Sequence, residues 1–338
     1  MRELKILGVV IFFTALIYIG VEPFAHSQMH PHTAAANFDP QKGDVEFATE
    51  QVKIAEEVLA DATDEKDLNT AKKQLEIDKK FLSHISSFWK DIAKIDLSKG
   101  NATQGAQNFM SAGCVGCHGL KSQGMNAPMD DASASASFGV SPPDLSAAGA
   151  IYDGTFLAAL IKNPAVALKL EHKFNESKPH PMSKFYGLGG DINQEIADIV
   201  VYLQSIAPKD LSNKEVFENA CQRCHSLKYE GITSNSDTKF LTKYMGSTPP
   251  DLSMMIRSKG HEYLEKFINN PQKELKGTAM PRVGLTKESQ EQVISYIEKA
   301  GDRKKDEREA LGPKVLGFMI IFTILAYLWK VKIWRDVH

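Results

Sequence analysis

Cys114-Val115-Gly116-Cys117-His118 recurs 107 positions later as Cys221-Gln222-Arg223-Cys224-His225. Two further landmarks recur at the same offset, which indicates an internal duplication rather than a chance match. The chain therefore contains two copies of one structural unit. The two landmarks are Pro142-Pro143-Asp144-Leu145-Ser146, repeated as Pro249-Pro250-Asp251-Leu252-Ser253, and Asn163-Pro164, repeated as Asn270-Pro271.

The Cys-x-x-Cys-His pattern is the attachment site of a c-type haem. Its two thiols add to the haem vinyl groups, and the histidine becomes the proximal ligand of the iron. Each pair of cysteines has two alternative functions, as half of a zinc site or as a redox dithiol. A four-cysteine zinc site would leave both following histidines unexplained. The sequence thus predicts two covalently bound c-type haems, on Cys114, Cys117 and His118 and on Cys221, Cys224 and His225.

Composition limits the class of protein. The 338 residues include 40 Lys and Arg against 42 Asp and Glu, a net charge of −2. This length predicts about two domains with additional segments. Because a nucleic-acid groove needs a clustered basic excess, the charge balance argues against a nucleic-acid partner. Four cysteines are too few for a disulfide scaffold in a chain this long.

Two apolar runs without charge lie near the ends of the chain, at residues 6–21 and 315–329. A spanning helix needs about 20 apolar residues, and flanking lysines extend their stems toward the headgroups. We therefore expect a transmembrane signal anchor at 1–25 and a C-terminal transmembrane helix at 311–334. A cleaved signal peptide and a buried helix are the alternatives. Basic residues precede the first run and none follows before Lys42, which predicts a cytoplasmic N-terminus.

Residues 41–100 have the pattern of a helical hairpin, divided by the polar stretch 61–65. We expect this insert to act as a spacer that packs on neighbouring protein. The Ala- and Ser-rich stretch 129–139 has no apolar period and predicts an exposed loop. The apolar seam of the hairpin comprises Leu68, Leu75, Leu82 and Trp89, with Ala71, Ile85 and Ile92 offset by three.

Each repeat resembles a class I cytochrome c domain. The shared order is an opening helix, Cys-x-x-Cys-His, a Pro-Asp-Leu turn, a methionine and a closing helix. The resemblance covers residues 101–207 and 208–300 and implies a mainly α fold with tandem domains. In that family a proline carbonyl accepts a hydrogen bond from the proximal histidine, and the matching residues here are Pro143 and Pro250. Such a partner holds the tautomer and the orientation of the ring.

The resemblance also implies a distal methionine in each unit. Met280 lies in Thr278-Ala279-Met280-Pro281, much like the family's Met-Pro pair. Met182 lies in His180-Pro181-Met182-Ser183, where the order of Pro and Met is reversed. We expect Met182 and Met280 to bind the two irons. For the first iron His180 is the competing ligand, with His172 behind it.

The whole chain is similar to a larger family, the di-haem cytochrome c1-type subunits of bacterial cytochrome bc1 complexes. The specific part is the pair of apolar ends, the second of which closes on Lys330-Val331-Lys332-Ile333-Trp334-Arg335. The resemblance implies a protein of the bacterial inner membrane, in contact with lipid, with haem domains that face the periplasm. Its implied partners are the cytochrome b and Rieske iron–sulfur subunits and a soluble c-type cytochrome or terminal oxidase. The usual cytochrome c1 has one haem and only a C-terminal anchor, and this chain departs from that pattern.

Three other functions compete with this interpretation. A stand-alone membrane cytochrome and a haem–copper oxidase subunit would contain the same haem motifs and apolar ends. A di-haem peroxidase needs one haem with an open or displaceable distal position, whereas each unit here offers a methionine. We therefore expect an electron-transfer subunit with no catalytic residue of its own. His26, His30 and His32 follow the first apolar run and predict an interfacial polar collar.

Overall fold

The computed structural model describes residues 2–21, 24, 39–175 and 177–337. The chain divides into two compact units, Met1–Phe38 and Asp39–His338. In the described residues the regular structure is helical, with three isolated β-bridges and no strand. The prediction of a mainly α chain with apolar helices near both ends is confirmed.

The N-terminal unit contains helix α1, Arg2–Ala15, which continues as the π-helical turn Leu16–Val21. None of these residues is buried. The segment Arg2–Val21 has 20 residues, and its most apolar 18-residue window has a mean hydropathy of 2.4, so it is long and apolar enough to cross a bilayer. The expected collar of His26, His30 and His32 lies outside the described residues, as does part of the expected anchor at 1–25.

The hairpin insert consists of α2, Pro40–Asp61, and α3, Glu65–Ile92, which pack against each other. Asp39 and Asp64 are the N-caps, since their carboxylates accept hydrogen bonds from backbone amides of the first turn. The C-terminal half of the apolar seam enters the core of the domain that follows. Trp89 is only 1% exposed, and Ile85, Phe88 and Ile92 are buried with it against that domain.

Two helical domains follow with the same order of elements, as the duplication requires. The first contains α4, Ala102–Ser111; α5, Asp131–Phe138; α6, Ala148–Ile151; α7, Gly154–Lys162; α8, Pro164–Ala167; and α9, Ile192–Ile206. The second contains α10, Asn213–Ala220; α11, Thr238–Met245; α12, Met255–Lys259; α13, His261–Asn269; α14, Pro271–Glu274; and α15, Lys287–Gly301.

Each domain is closed by contact between its opening and closing helices, α4 with α9 and α10 with α15. In the first pair Phe109 and Tyr202 bring their ring centroids to 5.8 Å. Gly105 permits the close approach, because a Cβ at this position would lie 2.0 Å from the carbonyl oxygen of Asp198. In the second pair Phe217 and Tyr296 lie 5.4 Å apart. These contacts join the two chain ends of each domain.

The predicted exposed loop at 129–139 is wrong, since α5 occupies most of it. Asp130 caps the helix through the amide of Ser133, and Gly139 ends it with a φ of 84°. Alanine, the best helix former, fills several of the positions between these caps. Ala134 and Ser135 are buried against the second domain, so tertiary contact stabilises a helix that has no apolar period.

The last helix, α16, runs from Lys305 to Val337 and is longer than the expected span at 311–334. Its first turn is fastened by Arg308, which donates to both carboxylate oxygens of Asp302 at 2.8 and 2.7 Å. The most apolar 18-residue window of the segment Lys305–Arg335 has a mean hydropathy of 1.9 and is not buried. It is therefore the second helix that is long and apolar enough to cross a bilayer.

The two domains pack directly on each other along the segment that precedes α15. The amide of Asp153 donates to the carbonyl of Gly284 at 2.9 Å, and the amide of Thr286 donates to that of Ile151 at 2.9 Å. Gly284 has a φ of 72°, and a Cβ there would lie 2.1 Å from the ring of Phe156. The domains thus share a continuous interface of backbone bonds and packed side chains.

Replacing Gly105 with Ala should destabilise the first domain. The added methyl group forces α4 away from α9, and overpacking of this kind costs about 1–3 kcal/mol. Thermal unfolding followed by circular dichroism measures the effect. Thr103→Ala, at an exposed position of the same helix, is the matched control and should stay within about 0.5 kcal/mol of the wild type. Equal stability of the two variants would contradict the close approach.

Candidate functional site

Both Cys-x-x-Cys-His motifs make the same turn at the end of an opening helix. The amide of His118 donates to the carbonyl of Cys114 at 3.0 Å, and the amide of His225 donates to that of Cys221 at 2.9 Å. The approach to the turn differs by two residues. Ala112 and Gly113 separate α4 from Cys114, and Gly113 has a φ of 72°, whereas Cys221 directly follows α10. The turn is therefore shared by the two domains, and the approach from the opening helix differs.

Each proximal histidine is held by a proline carbonyl. Nδ1 of His118 lies 2.8 Å from the carbonyl oxygen of Pro143, and Nδ1 of His225 lies 2.8 Å from that of Pro250. In each pair Nδ1 donates, so Nε2 keeps its lone pair. Burial lowers the pKa of both histidines, although the carbonyl bond opposes the shift. The neutral imidazole that results is the form that ligates a metal.

The recurring Pro-Pro-Asp-Leu-Ser landmark also fastens the loop that follows each motif. Asp251 accepts from the amides of Lys228 and Ser253, both at 3.0 Å. The hydroxyl of Ser253 accepts from the amide of Tyr229 at 3.1 Å. Asp144 and Ser146 make the corresponding bonds in the first domain. Sequence reasoning assigned no role to these residues, although their recurrence at one offset was the available signal.

All four cysteines are free, and two of them lie in apolar surroundings. Burial raises the pKa of Cys114 to about 11 and that of Cys221 to about 12, so both remain neutral thiols. A reactive redox dithiol instead needs a lowered pKa. Among the described residues no three His, Cys, Asp or Glu side chains gather into a group that could hold a metal ion. Both observations argue against the redox and zinc alternatives.

The residues present fit a covalently attached haem. Each site offers two free thiols and one histidine whose Nδ1 is engaged by a carbonyl. Each also offers an apolar wall. Cys114 packs against the cluster of Phe109, Leu120 and Ile199, and Cys221 packs against the cluster that contains Phe217. A macrocycle that is apolar on both faces requires such surroundings.

The candidate distal ligands differ between the domains. Met280 packs against the same apolar cluster as Cys221. Met182 is half-buried in a loop, where its amide lies 3.2 Å from Nδ1 of His180. The His180 ring contacts Phe174 at 4.9 Å, and burial lowers the pKa of this histidine. His172 is exposed and bonds to the backbone of Thr278 in the other domain.

The two sites are neighbours. Cys224 and Tyr244 pack against the cluster of Leu241, Met245 and Ala279. Val140, three residues before Pro143, packs against the same cluster. Tyr152 of the first domain packs against the same apolar cluster as Cys221 of the second. Burial raises the pKa of Tyr152 to about 12 and raises that of Tyr244 as well. Both phenols are therefore neutral.

Comparison with known proteins yields one match. The family model described as Cytochrome c matches residues 102–207 and 213–301, which together make up more than half of the chain. The matched segments are the two domains described above. Neither the curated proteins nor the solved structures yield a match.

Asp251→Ala should destabilise the second domain by about 1–3 kcal/mol at pH 7, because two amides lose their acceptor. Burial opposes ionisation of Asp251, but the hydrogen bonds from Ser253 and Lys228 outweigh it and hold the pKa of Asp251 below its usual value. A lowered folded-state pKa contributes stability that is complete above the unfolded value, about 3.9, and is lost as the pH falls through the folded one. The difference from the wild type should therefore shrink below about pH 4.

Thermal unfolding at pH 7 and at pH 3 measures this difference. Glu218→Gln is the matched control, since Glu218 makes a 3.7 Å ion pair with Lys214 within α10. Such pairs contribute about 0–1 kcal/mol, so this variant should resemble the wild type. A deficit of Asp251→Ala that is the same at both pH values would contradict the role of the charge.

Proposed function

The chain belongs to the cytochrome c family, and on this premise we propose that it is a membrane-anchored di-haem electron-transfer subunit of a quinol–cytochrome c oxidoreductase. Electrons enter from the cytochrome b and Rieske iron–sulfur subunits. They leave to a periplasmic c-type cytochrome or a terminal oxidase. The protein itself makes and breaks no substrate bond.

The observation that carries the proposal is the pair of matching proximal sites in one packed body. In each, two thiols and a carbonyl-held imidazole come from a single turn. When bound, the haem supplies a one-electron iron couple. The protein holds the imidazole by Nδ1, provides the apolar wall and offers a thioether, from Met280 in the second site and Met182 in the first. Histidine–methionine ligation raises the potential relative to bis-histidine ligation, which suits an acceptor of electrons from quinol.

The closeness of the two sites supports transfer within one chain. Cys224 of the second motif and Val140 of the first domain belong to one cluster, and Val140 lies three residues before the carbonyl that holds His118. An electron that enters one site can therefore leave from the other without a separate docking step.

The ends of the chain support a permanent place in a membrane complex. Two helices, Arg2–Val21 and Lys305–Arg335, are long and apolar enough to span a bilayer. A diffusing carrier needs no anchor, and a tethered carrier needs one. The net charge of −2 provides little long-range steering toward a soluble partner. We infer docking beside cytochrome b, with the haem domains on the periplasmic side.

The full chain should retain two haems after denaturation and extraction with acidic acetone, because both are held by thioether bonds. Replacing Cys114 and Cys117 with Ser should remove one of them. Replacing Cys221 and Cys224 should remove the other. Haem retained per chain, measured by pyridine haemochrome, checks this. Ser111→Ala, an exposed change just before the first motif, serves as the control and should keep both haems. Retention of a single haem by the wild type would contradict the di-haem assignment.

Affinity purification of the tagged full chain from membranes in mild detergent should bring down b-type haem and a Rieske iron–sulfur signal. The preparation should reduce cytochrome c with quinol as donor. Optical and electron paramagnetic resonance spectra identify the cofactors. Recovery of the chain alone contradicts the complex. Recovery with copper and oxidase activity assigns the chain to a haem–copper oxidase instead, and peroxide turnover by the isolated chain assigns it to the peroxidases.

A further inference from the structure

A buried ionic cluster joins the hairpin insert to both domains. Asp44, on α2, accepts from Nη1 of Arg282 at 2.9 Å and from Nζ of Lys169 at 2.8 Å. A second guanidinium nitrogen of Arg282 donates to the other carboxylate oxygen, which makes the contact bidentate. The Trp89 indole donates to Asp44 at 3.1 Å. The side chains of Asp44 and Arg282 are each 1% exposed, and that of Lys169 is 8% exposed.

Arg282 is the second residue after Met280, and hydrogen bonds hold both its backbone and its side chain. Its backbone amide donates to the carbonyl of Leu168 at 3.1 Å, and its Nε donates to that of Asn269 at 3.0 Å. Pro281, between Met280 and Arg282, has a restricted φ. A displacement of the Arg282 side chain is therefore transmitted over a short, stiff segment to Met280.

Lys169 couples the same cluster to the Asn-Pro landmark of the second domain. Its Nζ donates to Oδ1 of Asn270 at 3.1 Å. Lys169 is also the one described non-glycine residue with a positive φ, 57°, a conformation that costs free energy unless contacts impose it. The backbone here is held in a sparsely populated conformation while the ammonium reaches Asp44.

Among the residues that the structure describes, the first domain has no equivalent cluster. The position two residues after Met182 is Lys184, which is exposed. Asn163, the counterpart of Asn270, has a buried Oδ1 that accepts no hydrogen bond from the described residues. The duplication therefore produced two similar proximal sides, and a buried charge ties the second distal loop to the insert.

We propose that Asp44 is a positioning residue for the second site, which holds the Met280 loop through Arg282 and Lys169. The inference rests on the proposed function, in which Met280 binds the second iron. Asp44 is the carboxylate that both cations of this cluster contact, so its removal takes away the bidentate bond of Arg282 and the ion pair of Lys169. Breaking a buried ion pair by removing one partner is strongly destabilising, and we expect it to loosen the segment that bears Arg282. The hairpin insert is thus part of the construction of the second site.

The test uses the purified full chain in detergent and the weak near-infrared band of ferric iron bound to methionine. Met280→Ala defines the share of this band that belongs to the second iron. Asp44→Asn should lose the same half of the band while both haems stay covalently attached and the midpoint potential of the first haem stays unchanged. Arg282→Lys keeps the charge but not the bidentate bond, and should lose part of that half.

Two matched controls separate this role from general damage. Glu56→Gln removes the carboxylate of an exposed ion pair between α2 and α3, in which Glu56 lies 2.9 Å from Lys79. This variant should keep the whole band. Lys184→Met alters the corresponding position of the first domain and should also keep it. If the Asp44→Asn variant does not accumulate, the near-infrared band of the Arg282→Lys variant provides the test.

The outcomes separate the inference from the proposed function. A full band in both Asp44→Asn and Arg282→Lys, with Met280→Ala losing half, overturns the inference and leaves the proposed function standing. A Met280→Ala variant with an unchanged band overturns Met280 as the ligand and the inference with it. Loss of the band from both irons in Asp44→Asn shows general unfolding and also overturns the specific role.

Discussion

The hydrogen bond from a proximal imidazole to a proline carbonyl is the contact on which each half of this structure depends. It joins the turn after the opening helix to the Pro-Pro-Asp-Leu-Ser segment, 25 residues later in both domains. The same segment supplies a carboxylate and a hydroxyl that fasten the loop between them. One short stretch therefore orients the metal-binding nitrogen and stabilises the polypeptide around it, which explains why its residues recur together at a single offset.

Duplication produced two similar proximal sides but not two independent domains. The segment before α15 forms backbone hydrogen bonds with the first domain, and Phe156 of that domain lies against Gly284. The hairpin insert adds Trp89 and Ile92 to the first core and Asp44 to the second distal loop. An insert expected to pack on other proteins is, at its C-terminal end, part of the interior of this one. The two sites consequently differ in how their distal loops are held.

Much of the architecture could be predicted from local pattern. The resemblance implies a closing helix in each unit, and these helices are found at Ile192–Ile206 and Lys287–Gly301. Each helix begins before its run of regularly spaced apolar residues, because Asp191 and Thr286 cap the first turns. A capping residue is polar and is therefore not part of the apolar pattern. The helix at 131–138 was missed because burial against the second domain, not periodicity, stabilises it.

The sequence alone determined the duplication, the attachment motifs and the apolar ends, because each depends on residues close together in the chain or repeated at one spacing. The proline partners were implied by the family resemblance. Tertiary structure alone decided the asymmetry of the two distal loops. Asp44 and Arg282 are 238 positions apart, and neither lies in a motif. Their pairing exists only because the insert, the first domain and the second domain pack together and exclude water from both charges, and no local pattern encodes a contact of that range.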